Sequence, residues 1–212
     1  MNEFYEFTAS SESNVYAPTI LNESRYFANC SECGSNYLKN EIGDVDLIIE
    51  GKGKYPDILS CGRWPILIVS DKVLRIWNDN NISGFRSYNV SLFTQEGQEI
   101  PKSKGHYHHI SITGRSELDF DAMGIRIIAR CNTCGRVEYN KESWEFGIPI
   151  IKKDSWDGSD LFAFKQFRCT SMCGMKNLKL IYKNKLINFS FHPLKDMFNY
   201  SSNEINLKEL FA

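Results

Sequence analysis

Two short motifs constrain this chain more than anything else in it: Cys30-Ser31-Glu32-Cys33-Gly34 and Cys131-Asn132-Thr133-Cys134-Gly135. The chain carries 7 Cys and 14 Gly, and random placement of so few residues gives on the order of 0.01 CxxCG motifs. Two residues between cysteines let a tight turn present both thiolates to one metal ion at about 2.3 Å, and the following glycine supplies the positive φ that such a knuckle often requires. Two knuckles together would make a tetrahedral four-cysteine zinc site from Cys30, Cys33, Cys131 and Cys134. A closed site of this kind holds structure together and leaves no position for a reacting water. The gap between Cys33 and Cys131 is 97 residues, far longer than in a compact zinc ribbon. Closing a long loop costs only about 0.6 kcal/mol per doubling of its length, and a β-rich body folded in between would bring the knuckles together. Metal-free turns are the plain alternative. A redox CxxC fits less well, because neither motif is followed by the helix that lowers a thiol pKa in thioredoxin-like sites.

At 212 residues the chain is long enough to bury a core without a staple, and its length fits a single domain over 1–212. Its formal net charge of -1 argues against a broad basic field for gripping nucleic acid. The longest apolar run, Pro65 to Val69, is far short of a membrane span, and no basic-then-apolar leader opens the sequence. The expectation is a cytoplasmic protein with no membrane partner, in which an odd number of cysteines favours thiols or metal ligation over disulfides.

The segment pattern is mostly β. Aromatics at Phe4, Tyr5 and Phe7 suggest a short strand before a polar loop at Ser10 to Ser13, and part of residues 1–20 is expected to be mobile. Further strands are read at Glu23 to Ala28, Val45 to Ile49, Ile66 to Val69, Phe85 to Phe93, Tyr107 to Thr113 and Gly124 to Arg130. Gly51 and Gly53 mark a turn. Ser70 looks like a helix N-cap, with Asp71 in the first turn and Val73, Leu74, Ile76 and Trp77 at helical spacing. A second helix is read over Met175 to Tyr182, with Leu178, Ile181 and Tyr182 on one face. The predicted class is α+β: a mostly antiparallel β body with a few short helices and a zinc-ribbon-like pair of knuckles.

The other chemistry-bearing residues are less specific. Cys61, Cys169 and Cys173 have loose spacing and read as buried thiols. In a strand, His106 and His108 share one face and His109 takes the other, and no acidic partner at motif spacing lies beside them. Acidic residues gather at Glu117, Asp119 and Asp121, and again at Asp154, Asp157 and Asp160. A solvated loop face is the ordinary reading, and a contact surface for a basic partner is the functional one, with Trp156 as an aromatic anchor. Gly51-Lys52-Gly53-Lys54 lacks the phosphate-loop frame, and no nucleophile elbow is present, so no enzyme is expected.

The order of features resembles the double-CXXCG motif proteins. The likeness rests on the two CxxCG motifs, Arg136 after the second, a Tyr55-Pro56-Asp57 element, the Ile68-Val69-Ser70 segment opening a helix, and a late Asp160-Leu161-Phe162. It spans roughly residues 20 to 195, with Ala163, Phe164, Cys169 and Cys173 departing from the pattern. The resemblance implies an immunity protein of a bacterial polymorphic or contact-delivered toxin system, with a cognate protein toxin as partner. The rival from another class is a zinc-ribbon nucleic-acid-binding or regulatory module, which would need Lys and Arg around the knuckles. Ser31, Glu32, Asn132 and Thr133 occupy them instead. A hydrolase using the histidines at 106 to 109 would need an open zinc site.

Overall fold

The computed structural model describes residues 3–10, 18–39, 41–49, 55–61, 66–167, 170–198 and 204–211. The expected turn at Gly51 and Gly53, the polar residues Ser11 to Ser13, Pro65 and Cys169 lie outside the described residues. In chain order the strands are β1 (Phe4–Ala9), β2 (Thr19–Ile20), β3 (Phe27–Asn29), β4 (Asn36–Leu38), β5 (Val45–Ile48), β6 (Ile58–Ser60), β7 (Leu67–Ser70) and β8 (Phe85–Phe93). They continue as β9 (Glu99–Ile100), β10 (Tyr107–Ile112), β11 (Gly114–Ser116), β12 (Ile127–Arg130), β13 (Val137–Tyr139), β14 (Leu161–Phe164), β15 (Met172–Gly174) and β16 (Phe189–Pro193). Among the described residues they are accompanied by α-helices α1 (Asp71–Asp79), α2 (Met175–Lys183) and α3 (Leu207–Leu210). The class is α+β, mostly β with a few short helices.

One sheet has the order β11-β14-β15-β1-β16, and a larger one runs β2-β5-β8-β10-β7-β6 with β9 added on β8. Among the described residues, pairing is antiparallel except for β11 with β14 and β5 with β8. Strand alternation explains the faces: Tyr5 and Phe7 of β1 are buried. They meet Ile58 and Val69 of the larger sheet, Trp77 of α1 and Ile181 of α2 in the first core cluster. The two sheets therefore share one apolar layer, with α1 and α2 set into it.

Helix α1 forms as its sequence dictates. The Ser70 hydroxyl accepts from the Val73 N–H at 3.4 Å, Asp71 complements the positive helix end, and Val73, Leu74 and Trp77 fall on the buried stripe. Two glycines permit a close crossing nearby. A Cβ on Gly84, whose φ is +90°, would lie 1.9 Å from the Leu161 carbonyl oxygen, and one on Gly114 would lie 2.1 Å from the same atom. The strand β14 entered there is buried along its whole length.

Three expectations need correction. Glu23 to Arg25 is a 3-10 turn, because Asn22 sits at φ 56° and its carbonyl receives the Arg25 N–H, so the strand begins only at Phe27. Gly124, at φ +65°, closes a turn from Asp119 to Gly124, and the strand read from Gly124 starts at Ile127. Tyr182 does not share the buried face of Leu178 and Ile181. It is 39% exposed, one residue further round the helix, and its ring stacks obliquely on Phe211 at 5.2 Å. Among the described residues no helix is long and apolar enough to cross a membrane.

Candidate metal centre

Each CxxCG motif forms the tip of a two-stranded hairpin, the first between β3 and β4 and the second between β12 and β13. The two tips have the same internal hydrogen bonds. Cys30 N–H donates to Ser35 O and Gly34 N–H to Cys30 O, just as Cys131 N–H donates to Arg136 O and Gly135 N–H to Cys131 O, all at 2.8 to 3.0 Å. Gly34 and Gly135 take φ of +71° and +74° in open space, so the glycine is demanded by backbone conformation and not by crowding.

The hairpins meet tip to tip, equivalent residue on equivalent residue. Cys30 Sγ lies 3.6 Å from Cys131 Sγ, and Cys33 Sγ lies 3.6 Å from Cys134 Sγ. All four sulfurs lie within 4.8 Å of one another. A disulfide would need about 2.05 Å, whereas the edge of a tetrahedron with 2.3 Å metal–sulfur bonds is about 3.8 Å. The donor set and its spacing thus fit a tetrahedral thiolate-bound ion. Direct contacts reinforce the arrangement: the Glu32 carboxylate accepts from the Thr133 N–H at 3.2 Å and its hydroxyl at 2.8 Å, and Arg136 donates to the Ser35 hydroxyl. Arg130 donates to Gly135 O at 3.3 Å. Both arginines are used in building the knuckles.

Sulfur chemistry differs around the cluster. The Ser35 hydroxyl and N–H hold the Cys33 thiol down at about 6. At Cys131 the Cys134 N–H favours the thiolate, but desolvation and the neighbouring sulfurs outweigh it and push the thiol up to about 12. A divalent cation held there would draw off the remaining thiol protons. Cys30 is buried and Cys33 exposed, so the cluster reaches the surface on one side. Elsewhere Cys173 is buried in the first core cluster, where desolvation pushes its thiol up to about 12, and half-buried Cys61 packs on the second.

The structure brings His106 and His108 to one side of β10 and His109 to the other, as alternation requires. His109 is buried, its Nδ1 2.8 Å from Gly43 O. An acidic partner, which motif spacing does not offer, comes instead from elsewhere in the chain. Pairing of β10 with β7 places Asp71, the first residue of α1, beside the other two rings. Its Oδ1 lies 3.2 Å from His108 Nε2 and 3.5 Å from His106 Nδ1. Nothing local could reveal this contact, because it depends on a strand pairing more than 30 residues distant in sequence.

The carboxylates of Glu117, Asp119, Asp157 and Asp160 each have a partner within the fold. Glu117 pairs with Lys165, whose ammonium holds the carboxyl below its ordinary range, and lies 3.9 Å from Lys152. Asp119 accepts from the Ala122 N–H at 3.0 Å, and the Asp121 carbonyl from Gly124 N–H. Asp157 accepts from the N–H groups of Arg115 and Ser159, at 2.8 and 3.0 Å. Asp160 ties Ser83 to Lys176, accepting from both. Trp156 donates to Ser159 O at 3.1 Å and packs edge-on to Phe4 at 5.1 Å, on the third core cluster.

No family model matches the chain, and no curated protein matches it in sequence.

Proposed function

We propose that this chain is a cytoplasmic immunity protein that neutralises a cognate bacterial toxin by direct stoichiometric binding, with a structural zinc ion at Cys30, Cys33, Cys131 and Cys134. The observation that carries the metal-site part of this reading is the tip-to-tip pairing of the two knuckles, which supplies four sulfur ligands to one point. A tetrahedral all-thiolate set favours zinc or an iron–sulfur centre over harder ions, and filling every position with protein sulfur serves structure and not hydrolysis. The hairpin β12–β13 supports this: β12 is exposed on both faces, with Ile128 65% exposed, and a two-stranded hairpin with so little burial is marginal alone.

A protein clamped in this way acts through its surface. The contact candidates are Glu117, Asp119, Asp121, Trp156, Asp157 and Asp160, and exposed Ile150, whose carbonyl accepts the Asp119 N–H at 2.7 Å, adds apolar area beside the first acidic group. Acid beside exposed aliphatic surface suits a basic partner with an apolar anchor. The resemblance to double-CXXCG motif proteins supplies the toxin as that partner.

The test is bacterial growth with the adjacent reading frame induced, with and without this chain, followed by copurification. Rescue together with a one-to-one complex is expected. A toxic neighbour that is neither bound nor relieved overturns the pairing, and a salt-sensitive shift of DNA or RNA by the purified protein would instead favour a nucleic-acid module.

A further inference from the structure

The cluster of Asp71, His106 and His108 shares no residue with the cysteine centre and no role in the proposed binding surface. We propose that these three side chains form a second metal site, an open one, for a divalent first-row transition ion of the imidazole-preferring class such as Zn²⁺ or Ni²⁺.

The geometry converges from two rigid elements. The Asp71 N–H donates to the His106 carbonyl at 2.9 Å, which docks the first turn of α1 onto the start of β10. His106, immediately before that strand, and His108, within it, lie with ring centroids 4.6 Å apart. One nitrogen of each ring is directed at the same carboxylate oxygen, at 3.5 and 3.2 Å, and the three ligand atoms lie within 4.8 Å of one another. With metal–nitrogen and metal–oxygen bonds of about 2.1 Å, the edge of a coordination tetrahedron is about 3.4 Å, so an ion can replace the shared protons with little movement.

The carboxylate is also oriented from behind. Its other oxygen, Oδ2, receives Arg75 at 2.9 Å one helical turn on, the kind of outer partner that fixes a ligating carboxylate. Asp71 and His106 are each about one third exposed and His108 less so, which leaves the outer side of the site to solvent. Two imidazoles and one carboxylate leave at least one position for water, in contrast to the closed sulfur site.

The full chain loaded with one equivalent of Zn²⁺ is titrated with Ni²⁺ by calorimetry and, separately, with Co²⁺ followed by absorption. One further equivalent is expected, with no sulfur-to-cobalt charge-transfer band. His106→Ala and Asp71→Asn should each weaken it at least roughly 10-fold while leaving the first zinc equivalent in place. The chain has four histidines, and His192→Gln should leave the second equivalent unchanged. Thermal unfolding without added Ni²⁺ checks that the variants fold, and Asp71→Asn, which keeps size and leaves the Ser70 cap in place, covers the case in which a histidine variant fails to do so. Absence of a second equivalent, thiolate bands on its addition, or its retention in folded His106→Ala and Asp71→Asn would each overturn the proposal.

Discussion

Glu6 offers a sharp test of how burial is arranged in the smaller sheet. It lies in the middle of β1, between Met172 of β15 and His192 of β16. Desolvation pushes its carboxyl from 4.5 up to about 7. The folded state therefore holds this proton more tightly than the unfolded chain. The associated stability is complete below about pH 4.5 and is lost as pH rises towards 7. At 1.36 kcal/mol per pH unit, the loss reaches about 3 kcal/mol. Glu6→Gln keeps shape and removes the charge. Near pH 4 it should match the parent within about 0.5 kcal/mol, and near pH 8 it should exceed it by up to about 3 kcal/mol, or roughly 6 to 12 °C in Tm for a chain of this size. Urea unfolding of both proteins across this range, at saturating zinc, measures the difference directly. Parallel stability profiles would refute the reasoning and show that His192, across the strand, or local hydration compensates the carboxylate.

Other expectations follow from equally local features. Cys30→Ser and Cys131→Ser should each abolish one equivalent of bound zinc by elemental analysis and lower stability by more than about 4 kcal/mol, the range reached when a structural metal is lost. Limited proteolysis of either variant should cut first within the hairpin at 127–139. Gly84→Ala and Gly114→Ala should each cost more than about 3 kcal/mol in urea unfolding, since the new carbon would fall 1.9 or 2.1 Å from Leu161 O. Gly34→Ala meets nothing and should lose only the αL penalty of about 1 to 2 kcal/mol. Asp57 accepts from the Ser70 hydroxyl at 3.1 Å and the Ile187 N–H at 2.8 Å, so Asp57→Ala should destabilise by about 2 to 4 kcal/mol, with accelerated amide exchange at Ile187.

What the sequence discloses is mainly what is local. The knuckles are legible because two cysteines, a two-residue spacer and a glycine form a complete geometric instruction. Helix α1 is legible from Ser70, Asp71 and the spacing of Val73, Leu74 and Trp77. Strand β8 is found with the bounds its composition predicts. The meeting of the knuckles could be argued only from their duplication, since no other signal crosses so long a gap. Long-range features stay hidden. The parallel pairing of β5 with β8, the approach of Gly84 and Gly114 to one carbonyl, and the placement of Asp71 against His106 and His108 all follow from sheet order. Asp157 and Asp160 are a further case. Nothing in their loop's sequence indicates that the fold uses both carboxylates to accept backbone N–H groups.

The tip-to-tip knuckles also set a timetable for biosynthesis. With 97 residues between Cys33 and Cys131, a ribosome adding about 5 to 20 residues per second completes the second knuckle roughly 5 to 20 s after the first. During that interval the leading hairpin can offer an ion only two thiolates, and the intervening strands must find their partners before the remaining sulfurs arrive. On the proposed reading, metal capture would therefore be a late event that seals a body already assembled. A cell short of zinc would accumulate chains whose sheets are formed but whose β12–β13 hairpin hangs open to proteases.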